Sequence, residues 1–225
     1  RDILIAIFLG TSFLADVFFV AFRIPNTFRR LFSEGTFNAA FVPLYSAELT
    51  KGKKPSQKFA NEIYNILIIG LLFLILIIEI FMPWFVLLIA PGFTENSEKL
   101  ELTIYLTRIT FPFLFFISLA SFFAAILNSH NKFALSAAAP IVLNVILILI
   151  LLFGRYLNDD LVKYLAYGVT MSGIIQFLLL IWFVKNIVSL NMSLKFKLTK
   201  NVKLFFTKLL PSIFSSGVTQ INILV

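Results

Sequence analysis

Long apolar runs separated by short polar breaks dominate the chain, and they divide it into seven segments. The first, Arg1 to about Leu9, reads as the tail of a helix closed by a turn at Gly10, Thr11 and Ser12. The second runs from about Ser12 to Leu49. As one straight helix its 38 residues would reach about 57 Å, almost twice the hydrocarbon thickness of a bilayer. It is expected to project into water or to break at Pro25, Gly35 or Pro43. The third segment covers about Ser56 to Ala90, with Pro55 before it and Pro91 and Gly92 after it as stop signals. The fourth runs from Ser97, read as the N-cap with Glu98 and Glu101 in the first turn, to Asn128. The fifth covers about Phe133 to Phe153, the sixth Leu161 to Val184, and the seventh begins near Val202. Between the last two, Leu194 to Leu198 alternates apolar residues with Lys195 and Lys197, as an interfacial strip does.

Composition turns this pattern into a class. Of 225 residues, 60% are hydrophobic and only 13% charged, against about a quarter charged in a soluble domain. With a mean hydropathy of +0.96, apolar runs beyond 18 residues mark transmembrane helices. The expected fold is all-α: a polytopic transmembrane helical bundle. The chain starts at Arg1 inside an apolar pattern and stops inside another at Val225, so both ends read as cuts through a longer sequence. No cysteine and a single histidine, His130, exclude disulfides and a His or Cys metal cluster within it. The 28 phenylalanines read as a compositional bias.

The net charge of +8 follows membrane topology. If the loop of Lys51, Lys53, Lys54 and Lys58 is cytoplasmic, that side also carries Lys132, Lys185, Lys195, Lys197, Lys200, Lys203 and Lys208, eleven of nineteen basic residues. The opposite loops hold Lys99, Arg155 and Lys163 with Glu95, Glu98, Glu101, Asp159 and Asp160. Retention of lysine and arginine on the cytoplasmic side accounts for the asymmetry, and no nucleic-acid partner is expected.

Topology does not account for Arg1, Asp2, Asp16, Arg23, Arg29, Arg30 and Glu34, all in the first two segments. One charge at the bilayer centre costs about 2.5 to 3.5 kcal/mol on insertion scales, so this group implies a wet or paired interior. On an unbroken helix Asp16, Arg23, Arg30 and Glu34 fall within about 40° of one another, and Arg29 lies about 140° away. A kink at Pro25 would shift everything downstream, so the wheel leaves Arg29 and Arg30 as rivals for the interior face. An excess of arginine over carboxylate favours an anion, with phosphate the best match to the guanidinium fork. Glu79 and Arg108 each read as a member of a lateral ion pair within the bundle rather than a substrate contact. Asn128, Asn144 and Gln176 read as interhelical hydrogen-bonding groups, and Ser136 with Ala137, Ala138 and Ala139 before Pro140 as close helix packing. No glycine-rich nucleotide loop, serine elbow or metal-ligand spacing is present, so neither enzymatic chemistry nor a cofactor is expected.

Several stretches carry a family resemblance. Arg1 and Asp2 in RDILIA, then ADVFFVAFRIPNTFRRLFSEGTFNAAFVPLYSAE from Ala15 to Glu48, closely resemble the second-helix signature of the MurJ/MviN family of lipid II flippases. APGF from Ala90, LTRITFPFLFFISLASFFAAILNSHNKFA from Leu106 and AAPIVLN from Ala138 follow in the family's order. The resemblance implies the fold of the multidrug/oligosaccharidyl-lipid/polysaccharide exporter superfamily, with two six-helix lobes around a central cavity. Residues 1–188 would be the first lobe, its first helix truncated, 189–201 a cytoplasmic or interfacial connector, and 202–225 the start of the second lobe. It further implies a non-enzymatic flippase in the bacterial cytoplasmic (inner) membrane whose partners are lipid II and membrane lipids, with cell wall synthesis proteins as further candidates. By position, Arg1 and Arg29 would hold the pyrophosphate, Asp2, Asp16 and Glu34 would be cavity or gate charges, and Arg23 and Arg30 stay as additional candidates. A related exporter of another polyprenyl-linked glycan or of drugs, and a non-transporting membrane scaffold, are the alternative readings. A cation exporter would favour carboxylates over this arginine group.

Overall fold

The computed structural model describes residues 1–10, 12–33, 36–154, 161–191 and 199–211. Gly35, Glu34, Arg155, Asp159, Asp160, the Leu194 to Leu198 strip and the end of the seventh segment lie outside them, as does the side chain of Arg30. The described residues are helices joined by short turns and loops and contain no strand. In order the elements are α1 (Asp2–Leu9), α2 (Phe13–Ser33), α3 (Thr36–Thr50), α4 (Lys53–Ile80), α5 (Met82–Ile89), a 3₁₀ turn (Pro91–Glu95), α6 (Ser97–Thr110), α7 (Phe113–Ser129), α8 (Phe133–Ala138), α9 (Ile141–Phe153) and α10 (Leu161–Val184). Residues 200–211 form α11.

Among the described residues four stretches are long and apolar enough to cross a membrane: Lys53–Ile80, Ser97–Ser129, Phe133–Phe153 and Leu161–Val184. α6 and α7 form the middle of the bundle, with 72% of their apolar window buried against 28% for α4. α4, α5, α9 and α10 instead turn Phe73, Trp84, Phe153 and Trp182 outward, the apolar exterior that lipid requires.

The charged second segment crosses the bundle as two helices, α2 and α3. Contacts of Asp16 with Lys99, Ala21 with Thr110, Phe37 with Phe122 and Tyr45 with His130 run in the same order along both partners. The α2–α3 unit therefore lies parallel to α6–α7. Contrary to expectation, neither Pro25 nor Pro43 ends a helix. At Pro25 the reason is visible. A proline inside a helix orphans the carbonyl four residues back, and the hydroxyl of Thr110 on α6 donates to that carbonyl of Ala21 at 2.8 Å.

Other expected boundaries shift for local reasons. Gly10 closes α1 with its N–H on the carbonyl of Ala6, at a φ of 58° that disfavours any residue with a Cβ. Pro55 sits in the first turn of α4, where its missing N–H has no helical partner to lose. The third segment breaks at Phe81 before Pro83, the fourth at Phe111 and Pro112, and the fifth at Ala139 and Pro140. The cap of α6 is Asn96, whose side chain accepts from the backbone N–H of Lys99 at 3.0 Å. Ser97 is the first helical residue.

Phenylalanines build the packing between α3, α4 and α7. Phe41 lies 5.6 Å from Phe59 and 5.2 Å from Phe122, ring centre to ring centre, and Phe37 and Tyr45 extend the stack. Where lipid tails are as apolar as the core, such close ring packing replaces hydrophobic exclusion as the adhesive. At its end Tyr45 Oη lies 3.2 Å from His130 Nε2. Burial, assisted by the nearby charge of Lys132, holds the His130 pKa below its ordinary value.

After α10 the chain is laid along α4. Gln57 and Asn61 donate to the carbonyl of Ser189, Asn65 donates to that of Asn191, and Asn61 Oδ1 accepts from the Asn191 N–H. Thr199 and Asn201 then bond Glu62 and Glu48. The polar face of α4 thus holds Ser189, Asn191 and Thr199, and Glu48 of α3 holds Asn201 at the start of α11.

Candidate arginine-lined cavity

Two of the charges singled out in the sequence meet in one place. Arg1, at the start of α1, and Arg29, late in α2, line a cavity of about 170 Å³ together with Asn26, Asn144 and Gln176. Arg1 is fixed from three sides. Its Nε donates to Asp2 at 2.7 Å, its Nη1 donates to Asn144 on α9 at 3.1 Å, and its guanidinium lies 5.7 Å from the ring centre of Phe22. Arg29 Nε donates to Asn26 at 3.0 Å, one helical turn back.

A larger cavity of about 430 Å³ adjoins the first, sharing Arg29, Ile117, Pro140 and Gln176. Asn38, Ser121, Asn128 and Ser136 add polar groups to its wall. Its breadth comes from small residues, Ala120 and Ala124 on α7 with Ala137 and Ala139 near the α8–α9 break. The stretch read as close helix packing therefore borders a void. Pro140 contributes by separating α8 from α9.

The remaining candidates lie elsewhere or outside the description. Asp2 reaches the site only through Arg1, its own side chain being largely exposed. Asp16 is not brought to either cavity. It sits in the first turn of α2, 59% exposed, and forms an ion pair of 2.7 Å with Lys99 of α6. Lys99 in turn lies 4.2 Å from the ring centre of Phe93. Arg23 is exposed. Glu34 and the side chain of Arg30 lie outside the described residues. Glu79 is close enough to feel the charge of Arg108, while its Oε1 is buried without a hydrogen-bond partner among the described residues. Among the described residues no group of three or more His, Cys, Asp or Glu could hold a metal ion.

Sequence reasoning missed Asn26 and Asn38 and gave Asn144 and Gln176 only a helix-packing role. Asn144 does bridge helices, but to Arg1 rather than to another amide. An amide in an apolar run was the available signal. Chemically, two guanidiniums held by the amides of Asn144 and Asn26, with the carboxylate of Asp2 on Arg1, suit an anion with oxygen acceptors.

Comparisons with known proteins bear on the family and the fold. A family model described as "Lipid II flippase MurJ" matches residues 5–225. A probable lipid II flippase MurJ of Rhizobium tropici is 38% identical over 231 residues, covering 100% of this chain and 43% of the relative. That of Rickettsia prowazekii is 36% identical over 227 residues, covering 100% and 44%. A solved structure of lipid II flippase MurJ in an inward closed conformation matches with a TM-score of 0.82 and 27% identity, over 100% of this chain and 46% of that one. The chain spans less than half the length of the curated relatives it matches.

Proposed function

The chain belongs to the lipid II flippase MurJ family, and on that premise we propose that the full-length protein carries lipid II from the inner to the outer leaflet of the bacterial cytoplasmic membrane. The observation that carries the reading is the meeting of Arg1 and Arg29 at one cavity inside a membrane bundle. Moving a pyrophosphate through hydrocarbon requires fixed groups that replace its hydration, and guanidinium forks do so bidentately. Arg1 and Arg29 hold the pyrophosphate. Asp2 orients Arg1, while Asp16 and Glu34 act as gate charges. Arg23 and Arg30 stay outside this assignment as alternative contacts. The polyprenyl tail remains in lipid while the head group crosses, so only the head needs shelter. Rocking of this helical lobe, residues 1–188, against a second one opens the loaded cavity to each side in turn. No covalent step is involved, so the protein acts as a transporter.

A test is complementation of a flippase-depleted strain by the full-length protein. One charge-assisted hydrogen bond contributes about 1.5 to 3 kcal/mol, so Arg29→Ala should lower affinity for the pyrophosphate by about 10- to 150-fold and abolish growth at normal membrane expression. Arg30→Ala should complement. Normal growth on Arg29→Ala overturns the reading.

A further inference from the structure

Gln176 is the least satisfied polar residue next to the arginines. It is only 1% exposed on α10, within the span Leu161–Val184, and it borders both cavities. Its Nε2 donates to the Ser172 carbonyl at 3.2 Å. That bond fixes the amide's orientation, since a flipped amide would set oxygen against oxygen. Oε1 is left buried with no partner among the described residues. Across the larger cavity Asn38 Oδ1 is in the same condition. A buried unsatisfied carbonyl costs about 1 to 3 kcal/mol, and this wall holds two of them beside Arg29.

Two idle acceptors next to a guanidinium describe a ligand by its chemistry: hydroxyl or amide N–H donors close to an anionic oxygen. A phosphorylated sugar has that arrangement. A volume of about 430 Å³ lies within the range of small-ligand clefts, roughly 300 to 1,000 Å³. Gln176 stands at the seam of the two cavities, where the group attached directly to the phosphate would be. We propose that Gln176 and Asn38 form a sugar subsite that recognises the donor groups of the glycosyl unit adjoining the pyrophosphate held by Arg1 and Arg29. The subsite makes the cavity select glycosylated lipid over the bare polyprenyl pyrophosphate. A donor displaces water from such acceptors favourably only if it reproduces water's hydrogen bonds, so the subsite discriminates rather than merely attracts.

This inference rests on the lipid II reading above, and the test separates the two. Full-length protein in nanodiscs is titrated with lipid II and, separately, with undecaprenyl pyrophosphate, which lacks the sugar. Wild type should bind lipid II the more tightly. Gln176→Met should weaken lipid II by about tenfold and leave undecaprenyl pyrophosphate unchanged. Arg29→Ala should weaken both. The melting temperature of Gln176→Met should equal or exceed that of wild type, because the substitution removes an orphaned carbonyl. Asn38→Leu repeats the comparison if Gln176→Met does not fold. Unchanged lipid II affinity in the folded variants, or equal loss for the two lipids, overturns the sugar subsite while sparing the flippase reading. Wild-type protein that binds neither lipid overturns both.

Discussion

An alanine at position 173 would press into the wall of the arginine cavity. Gly173 lies on the buried face of α10 against α7, and a Cβ placed there would stand 2.8 Å from Phe113 Cδ2 and 3.3 Å from Phe116 Cβ. The Phe116 atom is tied to the α7 backbone and cannot retreat. Phe113 is fully buried and itself lines the cavity with Arg1 and Arg29, so its ring must swing or the two helices must part. Overpacking of this kind costs about 1 to 3 kcal/mol, while replacing helical glycine by alanine returns up to about 1 kcal/mol. The expected net loss is up to about 2 kcal/mol by the same two terms. Gly168→Ala is the internal control. Its nearest contact is shorter, 2.3 Å, but is made by Cδ1 of Ile150, the free end of a half-buried side chain. A rotamer change at about 0.5 to 1.5 kcal/mol relieves it and is largely offset by the same propensity gain. Thermal unfolding of the full-length protein in detergent should therefore rank wild type and Gly168→Ala together, with Gly173→Ala lower by a few degrees and impaired in transport. The reasoning fails if Gly173→Ala melts at or above wild type, or if Gly168→Ala is the more damaging of the two.

The ion pair of Asp16 with Lys99 leaves the carboxylate 59% exposed, so a double-mutant cycle with Asp16→Asn and Lys99→Met should give a coupling of at most about 1 kcal/mol. A transport defect of Asp16→Asn that persists in the Lys99→Met background would mean that Asp16 acts through something other than this pair. For His130, burial sets the folded pKa below the unfolded value of 6.5. The folded state thus prefers the neutral ring, and its contribution to stability is present above pH 6.5 and lost as pH falls toward the folded pKa. Melting temperatures between pH 7.5 and 5 should decline less steeply for His130→Gln than for wild type, and parallel slopes would refute this.

What the sequence settled by itself was local. Hydrophobic run length set the class, and the approximate limits of α10, Leu161 to Val184, were legible because Asp159 and Asp160 precede the apolar stretch and Lys185 and Asn186 follow it. The turn at Gly10 was equally plain. The charges of the second segment pointed to a polar interior, and Arg29 does line one, although Asp16 and Arg23 are exposed. Tertiary structure decided whatever depended on a distant partner. Pro25 looked like a break because the hydroxyl that satisfies its orphaned carbonyl comes from Thr110, 89 positions from Ala21. A helical wheel could not see that Asp16 answers Lys99 on α6, nor that Arg29 shares a cavity with Arg1. Amides read as helix glue acquired separate roles by placement alone, Asn144 steadying Arg1 and Gln176 left with an idle carbonyl at a cavity wall. Periodicity fixes which face of a helix is polar, but only packing fixes what that face meets.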